Sequence, residues 1–263
     1  MTLAGVGLHS GKVAEVVCMP ALPDTGIVFR RGDRSGAPSI PARLAAVRDV
    51  RRGVTLGDAA PVRTVEHLLA ALAGLGVTNV LVEVTGEELP ALDGSAAPYY
   101  AALAGAGIDE QAAMAPFEVL HRPVWVHTPA AWMLGVPAER FRITYIVPTK
   151  RVALGTQVVD FAPERDNFAD QIAPARTWGF AEELAALRAE GLALGVTADN
   201  ALGIGPDGYL NPPRFPDEPA RHKVLDLLGD LMLLGRPLRA HVIAFGAGHA
   251  LHVEFARRVK ATG

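Results

Sequence analysis

Residues 221–231 read RHKVLDLLGDL and carry a strong amphipathic pattern. Apolar residues recur there at spacings of three and four, which predicts a helix. Pro219 suits the first turn of a helix, and Gly235-Arg236-Pro237 would stop one, so we expect a helix over residues 219–234. Residues 238–245 (LRAHVIAF) then predict a strand, so this part of the chain is a helix that leads directly into a strand.

An earlier stretch repeats this order. Residues 64–75 (TVEHLLAALAGL) predict a helix, with Thr64 as its N-cap and Gly76 at its end. Residues 78–85 (TNVLVEVT) predict the strand that follows. Each helix begins near a histidine and is followed by a tight turn, so the two halves of the chain are expected to be built alike.

The remaining elements complete an α+β pattern. Strands are predicted over residues 11–19, 118–127 and 141–147, helices over 98–106 and 180–190, and a strand or a short helix over 250–258. Residues 105–116 (GAGIDEQAAMAP) are small, polar and end in proline, which is typical of a domain boundary. We therefore expect two α+β domains, residues 1–112 and 113–263, each a β-sheet layered against helices.

The composition excludes several classes of protein. The chain has 263 residues, is half hydrophobic and carries a net charge of −3 with scattered positive residues, which argues against nucleic acid as a ligand. Its single cysteine, Cys18, forms no internal disulfide and fits a reducing cytoplasm. The start of the chain lacks the features of a signal peptide, and no stretch approaches the ~18 apolar residues of a membrane helix, so we expect no integral membrane segment.

The predicted helix over 219–234 carries three ionisable groups in a row. His222, Asp226 and Asp230 are spaced four and four, so they lie on one face. Burying them on such an apolar helix is costly unless they are paired or bind a metal. An imidazole and a carboxylate one turn apart suit zinc, and an exposed polar stripe is the alternative.

Two other histidines are candidates for the same site. Glu66 directly precedes His67 near a helix start, an arrangement in which zinc binds the histidine and the glutamate takes a proton from water. His249 follows Gly246-Ala247-Gly248, which favours a loop that brings its ring close to a ligand. A surface Glu-His pair and a solvent-exposed turn are the alternatives.

Several sequence blocks together resemble the UDP-3-O-acyl-N-acetylglucosamine deacetylase family, in order and over nearly the whole chain. The blocks are GVGLHSG (5–11), TVEHLLAALAGLG (64–76), LDGSAAPY (92–99), ARTWGF (175–180), RHKVLDLLGDL (221–231) and GHAL (248–251). The resemblance implies an active site at the interface of the two domains. It also implies that His67, His222 and Asp226 bind one catalytic Zn²⁺, for which Fe²⁺ is the alternative.

The resemblance also implies the roles of the neighbouring residues. Glu66 is implied as the general base, and His249 as the cation that stabilises the oxyanion and protonates the leaving amine. Asp230 is implied to orient His249, Thr177 to donate a hydrogen bond to the oxyanion, and Lys223 to lie beside the substrate.

The implied substrate is an acylated UDP-N-acetylglucosamine, whose deacetylation belongs to lipid A biosynthesis. Residues 184–204 match the inserted segment that forms the family's acyl passage, with Leu192 among its apolar residues. Trp178, which replaces the family's phenylalanine, and Phe180 are expected to flank the sugar. We expect a cytoplasmic monomer.

Three rival interpretations remain open. The first is a zinc deacetylase of another N-acetyl sugar, and the second is a non-catalytic protein that binds acylated sugar nucleotides. A purely structural protein is the third, and it leaves the stripe of ionisable residues unexplained.

Overall fold

The computed structural model describes residues 1–149, 151 and 154–262. Eight strands and two helices lie in the first part of the chain. They are β1 (Thr2–Val6), β2 (Val13–Pro20), β3 (Ile27–Arg31), β4 (Ile40–Pro41), β5 (Val47–Asp49), β6 (Thr55–Leu56), β7 (Val62–Arg63), α1 (Glu66–Gly74), β8 (Val80–Thr85) and α2 (Ala97–Ala106).

Nine strands and four helices follow. They are β9 (Glu118–Val119), β10 (Val124–His127), β11 (Trp132–Val136), β12 (Arg142–Val147), β13 (Gln157–Phe161), α3 (Phe168–Gln171), β14 (Trp178–Phe180), α4 (Leu184–Ala189), β15 (Leu202–Ile204), α5 (Glu218–Leu231), β16 (Leu238–Arg239), β17 (His241–Phe245) and α6 (His249–Thr262). Single 3-10 turns lie at residues 44–46, 181–183 and 232–234.

Two five-stranded sheets share one topology. The first has the order β1-β2-β8-β3-β4 and the second the order β10-β11-β17-β12-β13. In each sheet the third and fourth strands of that order are parallel, and every other neighbouring pair is antiparallel. The predicted α+β class is confirmed, and the likeness between the two halves extends to strand order and direction. The division at residues 112 and 113 falls between α2 and β9 and stays a prediction.

The helices that precede the two central strands pack against each other. Helix α1 leads into β8 and α5 leads into β17, and α1 contacts both α2 and α5. Helix α5 contacts β12 and β13 of the second sheet, while α6 contacts β10 and β11. Almost every residue of α5 is buried, including His222, Asp226 and Asp230, so the predicted helix is correct but the alternative of an exposed polar stripe is wrong.

A glycine sets how closely these two helices approach. A side-chain Cβ on Gly229 of α5 would lie 2.9 Å from the carbonyl carbon of Glu66 and 3.0 Å from its Cα. Real Cβ atoms essentially never approach another atom so closely. Glu66 is the first residue of α1, so the glycine brings the start of α1 against the last turn of α5.

Two local predictions need correction. Residues 180–190 are not one helix, because β14 runs to Phe180 and pairs in parallel with β15, and helix begins only at Leu184. Thr64 does not cap α1: Val65 is the N-cap residue, and the Thr64 hydroxyl donates to Glu88 instead. Of the two alternatives for residues 250–258, the helix is correct.

Among the described residues, no helix is both long enough and apolar enough to span a bilayer.

Candidate metal centre

Three buried side chains from α1 and α5 converge on one point. The Nε2 atom of His222 lies 3.3 Å from Oδ1 of Asp226, and the Nε2 atom of His67 lies 3.9 Å from the same oxygen. All three residues offer a ligand atom within 4.8 Å of the other two. The two imidazole rings meet edge to face with centroids 5.1 Å apart. The structure thus brings the predicted metal ligands together from residues 67 and 222–226.

The chemistry of this donor set fits a divalent cation. The Nδ1 atom of His222 lies 3.0 Å from the carbonyl oxygen of Ala175, to which it donates, so its Nε2 lone pair faces the site. Burial lowers the pKa of His67 to about 3, so its ring is neutral and able to coordinate. Burial opposes the charge of Asp226, but His222 and Lys223 outweigh it and hold the pKa of that carboxyl well below its usual range. Two imidazoles and a carboxylate are a donor set typical of zinc.

Glu66 lies beside this donor set and is fully buried. Its Oε2 atom accepts a hydrogen bond of 3.0 Å from the backbone N–H of Val54, which leaves Oε1 toward the cavity. Burial raises the pKa of Glu66 to about 7, although the nearby His249 opposes the shift. A carboxyl group with a pKa near neutrality is suited to accept a proton from water.

His249, the first residue of α6, faces Glu66 across the site. Its Nε2 atom lies 3.8 Å from Oε1 of Glu66 and 3.8 Å from Oδ2 of Asp226. Its Nδ1 atom donates to Oδ2 of Asp230 over 2.7 Å. Burial opposes the charge of His249, but Asp230, Asp226 and Glu66 outweigh it and raise the pKa to about 10. His249 is therefore cationic at neutral pH.

His252, which no sequence pattern indicated, shares the Asp230 oxygen with His249. Nδ1 of His252 donates to Oδ2 of Asp230 over 2.8 Å, and its Nε2 lies 2.9 Å from the hydroxyl of Tyr145. His249 and His252 are three residues apart. If only a helix had been predicted for residues 250–258, this spacing would have placed both histidines on one face of that helix. Tyr145 lies on β12, and no local pattern relates it to α6.

The predicted substrate contacts occupy the wall of one large cavity. Thr177, Trp178, Phe180 and Lys223 all line this cavity of about 1000 Å³, which opens from the metal ligands. Lys223 Nζ lies 2.8 Å from Oδ2 of Asp226, and 5.8 Å from the centre of the Trp178 ring. The Trp178 indole N–H donates to the carbonyl of Pro219, which fixes the ring at the start of α5.

The segment 184–204 forms an apolar wall of the same cavity. The residues of this segment on the wall are Leu184, Leu187, Arg188, Ala193, Val196, Thr197, Ala198, Ala201, Leu202 and Gly203. Leu192, which the sequence placed among the acyl contacts, is half-buried and is not among these lining residues. Ala193, the next residue, lines the cavity instead.

Hydrogen bonds tie this wall to the turn between β1 and β2. His9 accepts a hydrogen bond of 3.3 Å at Nδ1 from the N–H of Ala193 and donates from Nε2 to the carbonyl of Arg52 over 2.9 Å. The main-chain N–H groups of Leu194 and Gly195 donate to the carbonyls of His9 and Leu8. His9 therefore supports the cavity wall through both ring nitrogens and its main chain.

Buried carboxylates outside the predicted set hold the loops in place. Glu88 accepts hydrogen bonds from the N–H groups of His9 and Ser10 and from the Thr64 hydroxyl. Glu218 accepts from the N–H and side chain of Arg176, which fixes the residues before Thr177 against the start of α5. Both are long-range contacts that no local sequence signal indicates.

Comparison with known proteins identifies relatives over nearly the whole chain. Residues 1–261 match the model of the LpxC family, described as UDP-3-O-acyl N-acetylglycosamine deacetylase. A protein of Thermosynechococcus vestitus named UDP-3-O-acyl-N-acetylglucosamine deacetylase is 45% identical over 258 residues, 97% of this chain and 90% of its own. Proteins of the same name from Nostoc sp. (44% over 265 residues, 98% of this chain and 94% of theirs) and Myxococcus xanthus (42% over 261 residues, 98% and 83%) are similar as well.

Proposed function

We infer that this chain, which belongs to the UDP-3-O-acyl N-acetylglycosamine deacetylase family, removes the acetyl group of UDP-3-O-acyl-N-acetylglucosamine in lipid A biosynthesis. One observation carries the assignment to specific residues: His67, His222 and Asp226 meet within 4.8 Å beside the buried Glu66. A binding protein or a structural protein has no need of this arrangement, whereas a hydrolase does.

The metal is proposed to be Zn²⁺, with Fe²⁺ as the alternative that the same ligands tolerate. His67, His222 and Asp226 would hold it. Bound there, the cation supplies a Lewis acid that acidifies a water molecule and polarises the acetamide carbonyl. Lys223 neutralises the second oxygen of Asp226 and so keeps the first one oriented to the cation site.

The proton transfers are assigned to Glu66 and His249. Glu66, with one oxygen fixed by Val54, would take a proton from the attacking water. His249, cationic because of the surrounding carboxylates, would stabilise the oxyanion of the tetrahedral intermediate and give its Nε2 proton to the departing amine. Asp230 would keep that ring in place, and the Thr177 hydroxyl would donate to the oxyanion from the cavity wall.

The shape of the cavity supports an acylated sugar nucleotide as the substrate. Next to the proposed cation site, Lys223 and the Trp178 and Phe180 rings would contact the sugar and its polar substituents. Beyond them the wall is largely apolar, with Leu187, Val196 and Leu202 placed to bury hydrocarbon. Burial of a fatty chain there contributes ~0.8 kcal/mol for each methylene removed from water.

All of the proposed groups come from a single chain. We therefore propose that the protein acts as a monomer, and that it does so in the cytoplasm, where its lone buried Cys18 stays reduced.

The test is release of acetate from UDP-3-O-acyl-N-acetylglucosamine by the wild-type protein, by Glu66→Gln and by His249→Ala. We expect each variant to keep its metal and to lose at least ~100-fold in kcat, the scale of acid–base contributions. Glu118→Gln is the matched control, because it makes the same chemical change at a buried carboxyl that instead binds Lys260.

Two outcomes would refute the assignment. A wild-type protein that binds the substrate without releasing acetate would be a binding protein, and one that prefers a free N-acetyl sugar would be a deacetylase of another class. Retention of full activity by Glu66→Gln would remove Glu66 from the role of base.

A further inference from the structure

A chain of buried polar groups extends behind Asp230, away from the cavity. His252 is fully buried, and its Nδ1 donates to the same Asp230 oxygen that accepts from His249. The next group is Tyr145, also fully buried, whose hydroxyl lies 2.9 Å from Nε2 of His252 and 2.8 Å from the carbonyl oxygen of Ala247. The chain therefore runs from β12 through α6 to α5 and ends at His249.

The carboxylate of Asp230 is held on one side only. Its Oδ2 accepts both imidazole N–H groups, whereas its buried Oδ1 has no hydrogen-bond partner among the described residues. A carboxylate held by a single donor at one oxygen is free to rotate about its Cβ–Cγ bond. A second donor on the same oxygen, from a different direction, restricts that rotation. It therefore fixes the position of the Asp230 Oδ2 atom, which orients the His249 ring.

We propose that His252, anchored by Tyr145, is a positioning residue for the deacetylation, acting through Asp230 on His249. The consequence falls on Nε2 of His249, which the structure places 3.8 Å from both Glu66 and Asp226. Positioning matters there because a misplacement of about 1 Å lowers the rate of an oriented reaction by roughly 100-fold. This inference rests on the proposed function, and it adds His252 and Tyr145 to the residues on which turnover depends.

The first experiment compares His252→Asn with His252→Leu. The Asn side chain places an amide N–H close to the position of the imidazole Nδ1, whereas Leu fills the space without a donor. We expect His252→Leu to lose roughly 10–100-fold in kcat, the scale for partners of ligand-orienting groups, with KM and bound metal unchanged. We expect His252→Asn to restore kcat to within a few-fold of the wild type. A purely structural role would instead lower the melting temperature of both variants and spare the kcat of the folded fraction.

The second experiment is a double-mutant cycle with Tyr145→Phe, which removes only the hydroxyl. In the wild-type background we expect a several-fold loss in kcat, because Nε2 of His252 loses its anchor. In the His252→Asn background we expect no further loss, since Asn has no atom that reaches the Tyr145 hydroxyl. Additive losses in kcat would overturn the proposal, because they would mean that Tyr145 acts by another route.

A measurement independent of turnover separates this inference from the proposed function. In protein labelled with ¹⁵N-histidine, the Nδ1–H of His249 should exchange slowly with solvent in the wild type and in His252→Asn, and rapidly in His252→Leu. Unchanged exchange and unchanged kcat in His252→Leu would overturn the inference while leaving the deacetylase assignment intact. Failure of the wild type to release acetate would refute the function, whatever the exchange rates.

Discussion

The substitution Gly229→Ala should lower kcat even though alanine favours a helix more than glycine does. Alanine favours the interior of a helix over glycine by about 1 kcal/mol, so by propensity alone the substitution would stabilise α5. The new Cβ, however, would lie 2.9 Å from the carbonyl carbon of Glu66, whereas carbon atoms pack at ~3.5–4.0 Å. Helices α1 and α5 must therefore separate by roughly 1 Å at the residues that carry the base and all three proposed ligands.

The expected magnitudes follow from that shift. Overpacking costs ~1–3 kcal/mol, which the gain in helix propensity offsets in part, so we expect the free energy of unfolding to fall by ~0–2 kcal/mol. We expect kcat to fall by roughly 100-fold, because the shift acts on oriented groups. Urea unfolding and acetate release measure these two effects separately.

Gly105→Ala is the matched control. Gly105 lies in α2, and a Cβ there would meet nothing within 4 Å. The same substitution should stabilise the protein by ~0.5–1 kcal/mol and leave kcat unchanged. If Gly229→Ala also raised stability and kept wild-type kcat, the close approach of the two helices would have no bearing on the site.

Two further predictions concern pH and metal. The pH profile of kcat should be bell-shaped. Activity rises as Glu66 loses its proton, and a bound cation moves this rise below about pH 7 because it favours the Glu66 anion. Activity falls again as pH rises through the pKa of His249 at about 10. A profile with a single plateau and no alkaline fall would contradict the role of His249. Removal of the metal by a chelator should lower the melting temperature, and added Zn²⁺ should restore it, because at ~1,000 times its Kd the ion adds up to ~4 kcal/mol to the free energy of unfolding. His67→Ala should show no such recovery, and an equal recovery in that variant would place the cation elsewhere.

The residues that the sequence indicated best lie on one helix. The spacing of His222, Asp226 and Asp230 directly predicts that they lie close together, because residues four apart share a face of any helix. The likeness of the two halves was visible for a similar reason, since a helix followed by a strand is a local pattern. Its full extent, the common order of five strands, depends on pairing between distant segments and was not visible.

The errors came from long-range contacts that outweigh local preference. Residues 180–190 are rich in Ala, Leu and Glu, which favours helix, yet Phe180 pairs with Ile204 in a two-stranded sheet. Thr64 has the side chain of an N-cap, but Glu88 accepts its hydroxyl hydrogen, and the backbone takes a positive φ of 57°. The contact between Tyr145 and His252 joins residues 107 positions apart, and no spacing rule covers it.

The contact between the first turn of the chain and the passage wall has a consequence for specificity. His9 and Ala193 are separated by 184 positions, yet the N–H of Ala193 donates to the His9 ring, and the N–H groups of Leu194 and Gly195 donate to the carbonyls of His9 and Leu8. A Cβ on Gly11 would lie 3.0 Å from the Cβ of Leu194, so even a methyl group added in this turn presses on the segment that we propose to contact the fatty chain. We therefore expect substitutions in this turn to change the preference for one hydrocarbon length over another, through the position of residues 193–195.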